Sequence, residues 1–354
     1  MALPTEPIGS IPRPPELIEG MAAASRGELP ADKLAALTEA ALLDTVRRFE
    51  ATGSPVITDG EQSKSSFATY PLEGLDNLAP DGVVIPFADG HTRQLPRLTA
   101  GPFRYGRNAV DYYRAAAAHA TVPVKQAVIA PSALSLIYPQ DGIDGYPQEQ
   151  FVDDLVKAAY QDIKSCLDAG ADSVQLDFTE GRLAVKLDPS KGLLNSFVAL
   201  NNRVLERFGD DERQRIGIHT CPGGDQDSTH SADVDYAELL PAFFSMRAGR
   251  FYVQLASEAD RRGVLKVIAQ CLRPGQRVFV GVVDPIDPDV ETPEQVRDRV
   301  LEAAEFIPLD QLGTCDDCGF SPFADDTSTA RDTAFAKIEA RVRGTELAAA
   351  QLGS

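Results

Sequence analysis

Three residues whose side chains bind soft metal ions stand at two places in the chain. His219 and Cys221 are separated by one residue in Ile218-His219-Thr220-Cys221, and Cys318 follows far downstream. Side chains two residues apart on a strand share one face, so the imidazole and the thiol can turn toward one ion. Zinc accepts thiolate and imidazole ligands, and a third protein ligand leaves one coordination position for a substrate. An isolated His-x-Cys pair is also typical of two buried core residues.

The spacing Cys315-x-x-Cys318 has interpretations of its own. Cys-x-x-Cys is typical of half a zinc knuckle or of a thioredoxin-like redox pair. A knuckle needs a second pair at similar spacing, which the sequence lacks, and Gly319-Phe320-Ser321-Pro322 is a poor start for the helix of a redox pair. We therefore predict that one cysteine of the pair is a metal ligand and that the other is not.

Three carboxylates follow apolar segments. Asp59 and Glu61 flank Gly60 directly after the segment 55–58, and Asp177 ends the segment 173–177. Carboxylates in such positions hold a substrate ammonium group or move a proton. They also cap helices or lie on a solvated rim, so position alone leaves both interpretations open.

The composition excludes several classes of protein. With 34 Lys+Arg against 53 Asp+Glu the net charge is −19, which argues against nucleic acid as a partner. The sequence shows no signal peptide and no segment near the ~18 uninterrupted apolar residues of a membrane span. We therefore expect a cytoplasmic protein that does not bind membranes.

The five cysteines favour free thiols over a disulfide framework. Their number is odd, and in a reducing compartment such residues are buried thiols or metal ligands. Cys166 lies inside a predicted helix and Cys271 at the end of another, so we assign no chemical role to either.

Short apolar segments alternate with longer amphipathic ones along most of the chain. The alternation predicts parallel strands joined by helices. The eight predicted strands are 55–59, a segment around 95–99, 122–126, 173–177, 216–219, 251–255, 278–282 and a short one near Leu312. The predicted helices are 31–51, 108–120, 149–168, 193–208, 235–247, 259–272, 292–305 and 329–350.

This pattern predicts an α/β fold, a single (β/α)8 TIM barrel that spans residues 1–354. Residues 1–54 form an N-terminal segment and a helix that lead into the first strand. Residues 60–107 lack a clear helix, which indicates an elaborated loop or hairpin over the C-terminal face of the barrel. A doubly wound open sheet is the alternative. The barrel is favoured because the polar residues singled out above follow strand ends, where barrel active sites form.

Five motifs together resemble a known family. They are Ile8-Gly9-Ser10-Ile11-Pro12-Arg13, Asp59-Gly60-Glu61, Gln175-Leu176-Asp177, His219-Thr220-Cys221 and Asp317-Cys318-Gly319. Their order and approximate spacing resemble those of the C-terminal catalytic barrel of cobalamin-independent methionine synthase. Each motif alone is weak, but five in order are specific, and the resemblance covers nearly the whole chain.

The resemblance implies a Zn²⁺ site that binds a thiol substrate as thiolate. His219, Cys221 and Cys318 match three zinc ligands of the family. The fourth family ligand is a Glu at a strand end, and here Glu258 stands three residues past the expected position. His230, in a segment that looks like an insertion, is another candidate to reach the site. Zinc stabilises thiolate over thiol, so a nucleophile exists near pH 7.

The resemblance also implies an amino-acid site. Ile8, Gly9 and Ser10 match the loop that holds the carboxylate of the amino acid. Glu61 and Asp177 match acids that hold its ammonium group.

Three departures from the family bear on the second substrate. A family histidine that transfers a proton is replaced around Val283-Asp284-Pro285, so Asp284 is a candidate substitute. The chain has no Trp on which a folate pterin could stack. The second, N-terminal barrel of the full-length family enzyme is also absent from this sequence.

We therefore expect a zinc-dependent S-alkyltransferase, with methyl transfer to homocysteine as the first hypothesis. The alkyl donor would be methylfolate, a methyl-corrinoid protein or another methyl carrier. A related hypothesis is thiol addition to an epoxide, as in epoxyalkane:coenzyme M transferases. A third hypothesis is a non-catalytic barrel that holds zinc in a closed structural site.

Overall fold

The computed structural model describes residues 3–353, in which short strands alternate with helices. The strands are β1 (Leu78–Ala79), β2 (Val84–Pro86), β3 (Thr92–Gln94), β4 (Arg97–Leu98), β5 (Gln126–Ile129), β6 (Val174–Asp177), β7 (Ile216–Thr220), β8 (Gly224–Asp225), β9 (Ser228–Thr229), β10 (Arg250–Val253), β11 (Arg277–Val283) and β12 (Leu312–Asp316).

The helices surround these strands. They are α1 (Pro15–Ser25), α2 (Ala31–Ala51), α3 (Val110–Ala117), α4 (Pro131–Leu134), α5 (Gln148–Asp168), α6 (Glu180–Leu187), α7 (Gly192–Leu205), α8 (Asp210–Arg213), α9 (Tyr236–Phe243), α10 (Arg261–Cys271), α11 (Pro293–Ala304) and α12 (Arg331–Leu352). Among the described residues, no helix combines the length and apolar character needed to cross a bilayer.

Six of the strands form one parallel sheet at the centre of the molecule. Their spatial order is β12-β11-β10-β7-β6-β5, and each neighbouring pair is parallel. Every residue of β5, β6, β7 and β12 is buried, as expected when helices cover a parallel sheet. Because the order never reverses along the chain, the sheet has no switch point, and the doubly wound alternative is wrong.

Two further segments lie against the edges of the sheet. Thr5 forms a parallel bridge with Thr314 of β12, and Ile57 forms one with Val124, just before β5. The two segments also contact each other, since Ile11 N–H donates to the carbonyl of Gly60 at 3.0 Å. The N-terminal segment therefore connects the two outer strands of the sheet.

The predicted strands agree with the structure in the second half of the chain and less well in the first. The segments 173–177, 216–219, 251–255, 278–282 and the one near Leu312 overlap β6, β7, β10, β11 and β12. The predicted strand 122–126 ends where β5 begins, and 55–59 contains a single bridge at Ile57. The assignment of 95–99 to the central sheet is wrong, because β4 pairs antiparallel with β1 outside it. A closed barrel of eight full strands is therefore not confirmed.

All eight predicted helices are confirmed within a few residues, as α2, α3, α5, α7, α9, α10, α11 and α12. Local signals account for some of their starts. The Asp260 carboxylate accepts from Gly263 N–H at 2.9 Å at the start of α10. Thr292 and Gln295 form a capping box before α11, with Pro293 at its first position. Helices α1, α4, α6 and α8 were not predicted.

Residues 60–107 form the expected elaboration rather than a crossover helix. They contain two short antiparallel pairs, β1 with β4 and β2 with β3. Ile85 and Phe87 of the β2–β3 hairpin line the same cavity as His219 and Cys318. The prediction of a hairpin over the polar strand ends is therefore confirmed.

A buried ion pair anchors the N-terminal segment. The Arg341 guanidinium of α12 donates to Asp316 Oδ2 at 2.7 Å and to the carbonyl of Glu6 at 3.0 Å. Asp316 Oδ2 also accepts from the backbone N–H of Ile8 at 3.2 Å. Both ionic side chains are essentially inaccessible to water, so each depends on the other for compensation of its charge.

Replacement of Arg341 by Met should destabilise the protein strongly. The substitution leaves the Asp316 carboxylate buried without its cation, which costs about 3–5 kcal/mol of unfolding free energy. Urea denaturation followed by circular dichroism measures the loss. Arg343→Met is the matched control, because the Arg343 ion pair is exposed and should change stability by about 0.5 kcal/mol or less. Equal losses in the two variants would contradict this account of the anchor.

Candidate active site

The carboxyl ends of β7 and β12 bring three potential metal ligands together. His219 lies within β7, Cys221 follows it directly, and Cys318 lies two residues beyond β12. One ligand atom from each residue lies within 4.8 Å of the others. The sulfur atoms of Cys221 and Cys318 are 3.1 Å apart.

The cluster is suited to a cation because the buried imidazole of His219 lacks hydrogen-bond partners among the residues that the structure describes. His219 is 1% exposed, and neither of its ring nitrogens has a hydrogen-bond partner within residues 3–353. The contact with Cys221 and burial raise the pKa of Cys318 well above its ordinary value. A buried imidazole without partners beside two crowded sulfurs is unfavourable until a cation binds all three. Two sulfurs and one nitrogen are a donor set that suits Zn²⁺.

Asp317 holds the Cys318 segment against the loop after β10. Its Oδ1 accepts from the backbone N–H groups of Leu255 and Ala256, each at 2.8 Å. Its Oδ2 accepts from the N–H and the hydroxyl of Ser257 at 2.8 and 2.7 Å. These four hydrogen bonds position Cys318, and burial raises the pKa of Asp317 to about 7.

A cavity of about 370 Å³ opens beside the cluster. It brings together seven of the residues singled out from the sequence, namely Ile8, Ser10, Glu61, Asp177, His219, His230 and Cys318. Gly9 does not line it, but the Gly9 carbonyl accepts from the Thr58 hydroxyl at 2.8 Å and so holds the same loop in place. The amino-acid residues and two of the metal residues implied by the resemblance therefore share one cavity.

Close packing around Ser10 fixes the loop 8–10 at the cavity. Ser10 Oγ accepts from the backbone N–H of Ser321 at 3.2 Å. A Cβ on Gly319 would lie 2.1 Å from the same oxygen, so a larger residue after Cys318 would displace the Ser10 side chain. This packing therefore fixes the position of the loop 8–10 relative to the segment that carries Cys318.

Glu61 is a buried carboxylate with one internal cation. Lys64 Nζ lies 3.1 Å from Glu61 Oε1, and both side chains are at most 3% exposed. Burial raises the pKa of Glu61 to about 7, against the opposing effect of Lys64, and Asp177 and Asp59 raise it further. Burial lowers the pKa of Lys64, but attraction to Glu61 and Asp59 outweighs this, so Lys64 keeps its proton.

Asp177 is the second acid on the cavity wall. Gln175 Nε2 donates to Asp177 Oδ1 at 2.8 Å and to the Ile8 carbonyl at 3.0 Å, which links the acid to the N-terminal loop. Burial raises the pKa of Asp177, and the neighbouring His219 lowers it. Glu61 and Asp177 repel each other in the absence of a ligand, so a cation between them is stabilising.

Glu258 is held by an ion pair and is not part of the group of candidate metal ligands. Its Oε1 accepts from Arg182 at 2.7 Å and from Gln254 Nε2 at 3.0 Å. Asp284 lies on a second, smaller cavity of about 180 Å³ that also contacts Cys318. Burial raises the pKa of Asp284.

The remaining cysteines lie outside the cluster. The Cys315 thiol is buried and donates to the Phe279 carbonyl at 3.4 Å. Cys166 is buried within α5 and Cys271 ends α10. The geometry thus places Cys318 in the candidate metal cluster and Cys315 outside it, and the role of Cys318 as a ligand stays a prediction.

The positioning roles of two cations, Arg13 and Lys64, were not predicted from the sequence. Arg13 donates to the carbonyls of Glu61 and Lys64, both at 2.7 Å, and so fixes the turn that carries Glu61. Both cations are buried. Arg13 belongs to the motif that begins at Ile8, but its residue type does not reveal its burial, and Lys64 lies in no motif. Isolated Arg and Lys residues are usually exposed.

The fold and the site together define a parallel α/β protein with a thiol- and imidazole-lined metal cluster at its strand ends. The family model of the cobalamin-independent synthase catalytic domain matches residues 3–337, so the chain belongs to that family. A methionine synthase of Saccharolobus solfataricus is 21% identical over 352 residues, 99% of this chain and 96% of its own length.

Another relative is much longer than this chain, and a solved structure supports the fold. A 5-methyltetrahydropteroyltriglutamate–homocysteine methyltransferase of Ralstonia pickettii is 24% identical over 319 residues, which is 90% of this chain but 39% of that protein. The structure of a B12-independent methionine synthase from Shewanella sp. W3-18-1 in complex with selenomethionine matches with a TM-score of 0.78 and 21% identity, over 99% of both chains. A structural match at 21% sequence identity shows that the two chains share a fold.

The cluster should bind one Zn²⁺ ion per chain, and loss of either clustered thiol should abolish stoichiometric binding. Cys221→Ser and Cys318→Ser each remove one of two sulfur ligands, whereas Cys315→Ser changes a buried thiol outside the cluster. Inductively coupled plasma mass spectrometry after dialysis measures the metal content. Cys315→Ser should keep wild-type zinc. Stoichiometric zinc in Cys221→Ser would contradict the ligand assignment.

Proposed function

We propose that the protein is a zinc-dependent S-methyltransferase that converts homocysteine to methionine. The observation that carries the proposal is the shared cavity, where His219 and Cys318 lie with Glu61, Asp177 and Ser10. A thiol-activating group and an amino-acid site within one cavity suit a substrate that is both a thiol and an amino acid. Membership in the cobalamin-independent synthase family supports the same conclusion.

His219, Cys221 and Cys318 would hold Zn²⁺, which would lower the pKa of a substrate thiol so that a thiolate nucleophile exists near pH 7. Three protein ligands would leave room in the coordination shell for the substrate sulfur. Glu258 is held by Arg182, so its role as a fourth ligand would require release from that ion pair. The two cluster sulfurs need a reducing compartment to remain thiols, which is consistent with the cytoplasm.

The chain itself orients the amino acid. Glu61 and Asp177 attract the homocysteine ammonium, which relieves the repulsion between their carboxylates. The loop of Ile8, Gly9 and Ser10 receives the carboxylate. We further propose that Asp284, which lines a second cavity together with Cys318, gives a proton to the leaving group of the methyl donor.

We also propose that the whole chain is one barrel domain. The segments around Thr5 and Ile57 would complete eight members of a closed barrel, since each already bridges an outer strand of the six-stranded sheet. Residues 1–54 would then serve as the N-terminal segment that leads into the barrel.

Neither alternative hypothesis has an observation in its favour. An epoxide-opening reaction with a sulfonate thiol leaves Glu61 and Asp177 without an ammonium partner. A closed structural zinc site needs four protein ligands, and the cluster among the described residues has three.

The direct test is methyl transfer by the zinc-loaded protein. Homocysteine is incubated with methyltetrahydrofolate, methylcobalamin or S-methylmethionine, and methionine is measured by mass spectrometry. We expect methionine with at least one donor and none with Cys318→Ser. Absence of methionine with every donor would refute the proposed function.

Binding of methionine should strengthen as pH rises from 6 to 8. Burial raises the pKa of Glu61 to about 7, so its carboxyl is neutral below that pH and attracts an ammonium group only above it. The ionised fraction then grows about tenfold over this range, and the apparent affinity grows with it. Isothermal titration calorimetry at each pH measures the change.

Glu61→Gln is the control for this pH dependence. This variant should bind methionine weakly. Its affinity should change much less with pH, because only Asp177, whose pKa burial also raises, then contributes to the change. A wild-type affinity that stays constant between pH 6 and pH 8 would contradict the assigned role of Glu61.

A further inference from the structure

Glu180 is a buried carboxyl group on the cavity wall that the proposed function does not use. It is 5% exposed, begins α6 and lines the same cavity as His219 and Cys318. Its Oε1 contacts the Ser132 hydroxyl. Its Oε2 is buried and has no hydrogen-bond partner in the described part of the chain.

The contacts of Ser132 place a proton on Glu180 Oε1. Asn201 Oδ1 accepts from the backbone N–H of Ser132 at 3.2 Å, which fixes the orientation of the amide. The same Oδ1 lies 3.0 Å from Ser132 Oγ, and the single hydroxyl proton cannot serve both Asn201 and Glu180. A proton on the Glu180 carboxyl satisfies both contacts, whereas an ionised carboxylate that takes the hydroxyl proton leaves Ser132 Oγ facing Asn201 Oδ1 with no hydrogen between them. Burial raises the pKa of Glu180 to about 8, in agreement with a neutral acid at pH 7. Oε2 is therefore a carbonyl oxygen, which accepts hydrogen bonds.

His230 lines the same cavity and carries a second acceptor. Ser231 Oγ donates to the Pro222 carbonyl at 3.0 Å, so its 3.0 Å contact with His230 Nδ1 requires the proton to be on Nδ1. The lone pair of the ring is then on Nε2. That nitrogen lies 1.8 Å from the position that a Cβ on Gly223 would occupy, beside the cavity. Burial lowers the pKa of His230 to about 4, so Nε2 remains an acceptor at neutral pH.

The charge of the cavity is unfavourable for anions. Among the described residues that line it, Arg93 is the only Lys or Arg. The Arg93 guanidinium is neutralised by Asp225 and Asp325, with contacts of 2.5 and 2.9 Å. Most of the remaining wall is apolar and includes Phe67, Phe87, Leu136, Leu183 and Phe323.

We propose that Glu180 and His230 bind the alkyl donor, and that the part of the donor inside the cavity is an uncharged or cationic group with N–H or O–H donors. This inference rests on the proposed function, in which the sulfur, ammonium and carboxylate of homocysteine already have partners. The two acceptors are then left for the second substrate. A simple epoxide, with an acceptor oxygen alone, does not satisfy them.

Calorimetry on the zinc-loaded protein tests this proposal with four probes. Methylcobalamin, methyltetrahydrofolate and S-methylmethionine carry N–H groups, whereas epoxypropane does not. We expect at least one of the first three to bind and epoxypropane not to bind. Glu180→Leu and His230→Phe should each weaken that binding by about tenfold, because each leaves a donor group of the ligand unpaired. The three N–H probes distinguish a corrinoid, a pterin and a sulfonium amino acid as the source.

Glu180→Gln is the decisive control. Its amide can donate to Ser132 and present a carbonyl oxygen, like the neutral acid, so binding should stay within about threefold of wild type. Glu238→Leu, a change of the same kind on the exposed face of α9, should have no effect. Zinc content and thermal unfolding verify that each variant is folded.

Homocysteine binding, measured in the same variants, separates the two claims. It should be unchanged by Glu180→Leu and His230→Phe. If wild type fails to bind homocysteine, the proposed function fails. If homocysteine binds but no N–H probe does, or if Glu180→Leu leaves probe binding unchanged, the inference about the donor fails alone. A Glu180→Gln variant as weak as Glu180→Leu would also overturn it, because Glu180 would then act as an anion.

Discussion

The approach of two cysteine sulfurs to 3.1 Å, beside a histidine with no partner in the described chain, constrains the whole structure. Strands β7 and β12 are separated in the sheet by β10 and β11. In a flat sheet three interstrand spacings of about 4.8 Å would place them roughly 14 Å apart. The sheet must therefore curve strongly for Cys221 and Cys318 to meet. The same curvature brings the edges of the sheet close enough for the N-terminal segment to contact both.

The strand that delivers Cys318 also positions the amino-acid site. Asp316, two residues before Cys318, binds Arg341 and the backbone N–H of Ile8, while Asp317 holds the loop after β10. Gly319 packs against Ser10. Four consecutive residues thus connect the thiol cluster, the N-terminal loop and the core. Because these residues are adjacent in the sequence, they hold the thiol cluster and the amino-acid site at a fixed distance from each other.

Periodicity predicted most of the fold, because the helices are amphipathic and the strands of the second half are long apolar runs. It failed where tertiary contacts replace local patterns. Thr5 and Ile57 each make a single bridge, which leaves no alternation in the sequence. The segment 95–99 has strand-like composition but pairs with a hairpin strand rather than the sheet. Arg13, Lys64 and Arg341 hold separate segments together from buried positions, and no local sequence pattern indicates that they are buried.

The residues of the candidate site could be singled out from the sequence, and the structure brings most of them to one cavity, while their roles stay predictions. Residue types and the family resemblance pointed to the cluster and the acids, because metal ligands and carboxylates have distinctive chemistry. Glu180 was missed, since one Glu at a helix start is typical of helices in general. Its role depends on the proton positions of Ser132 and Asn201, which follow only from three-dimensional contacts.

X-ray absorption at the zinc edge, with and without homocysteine, tests the central claim most directly. We expect two sulfur neighbours of zinc at about 2.3 Å in the free protein and three after homocysteine is added. A coordination shell that does not change on addition of homocysteine would contradict an open catalytic site and would indicate a closed structural one.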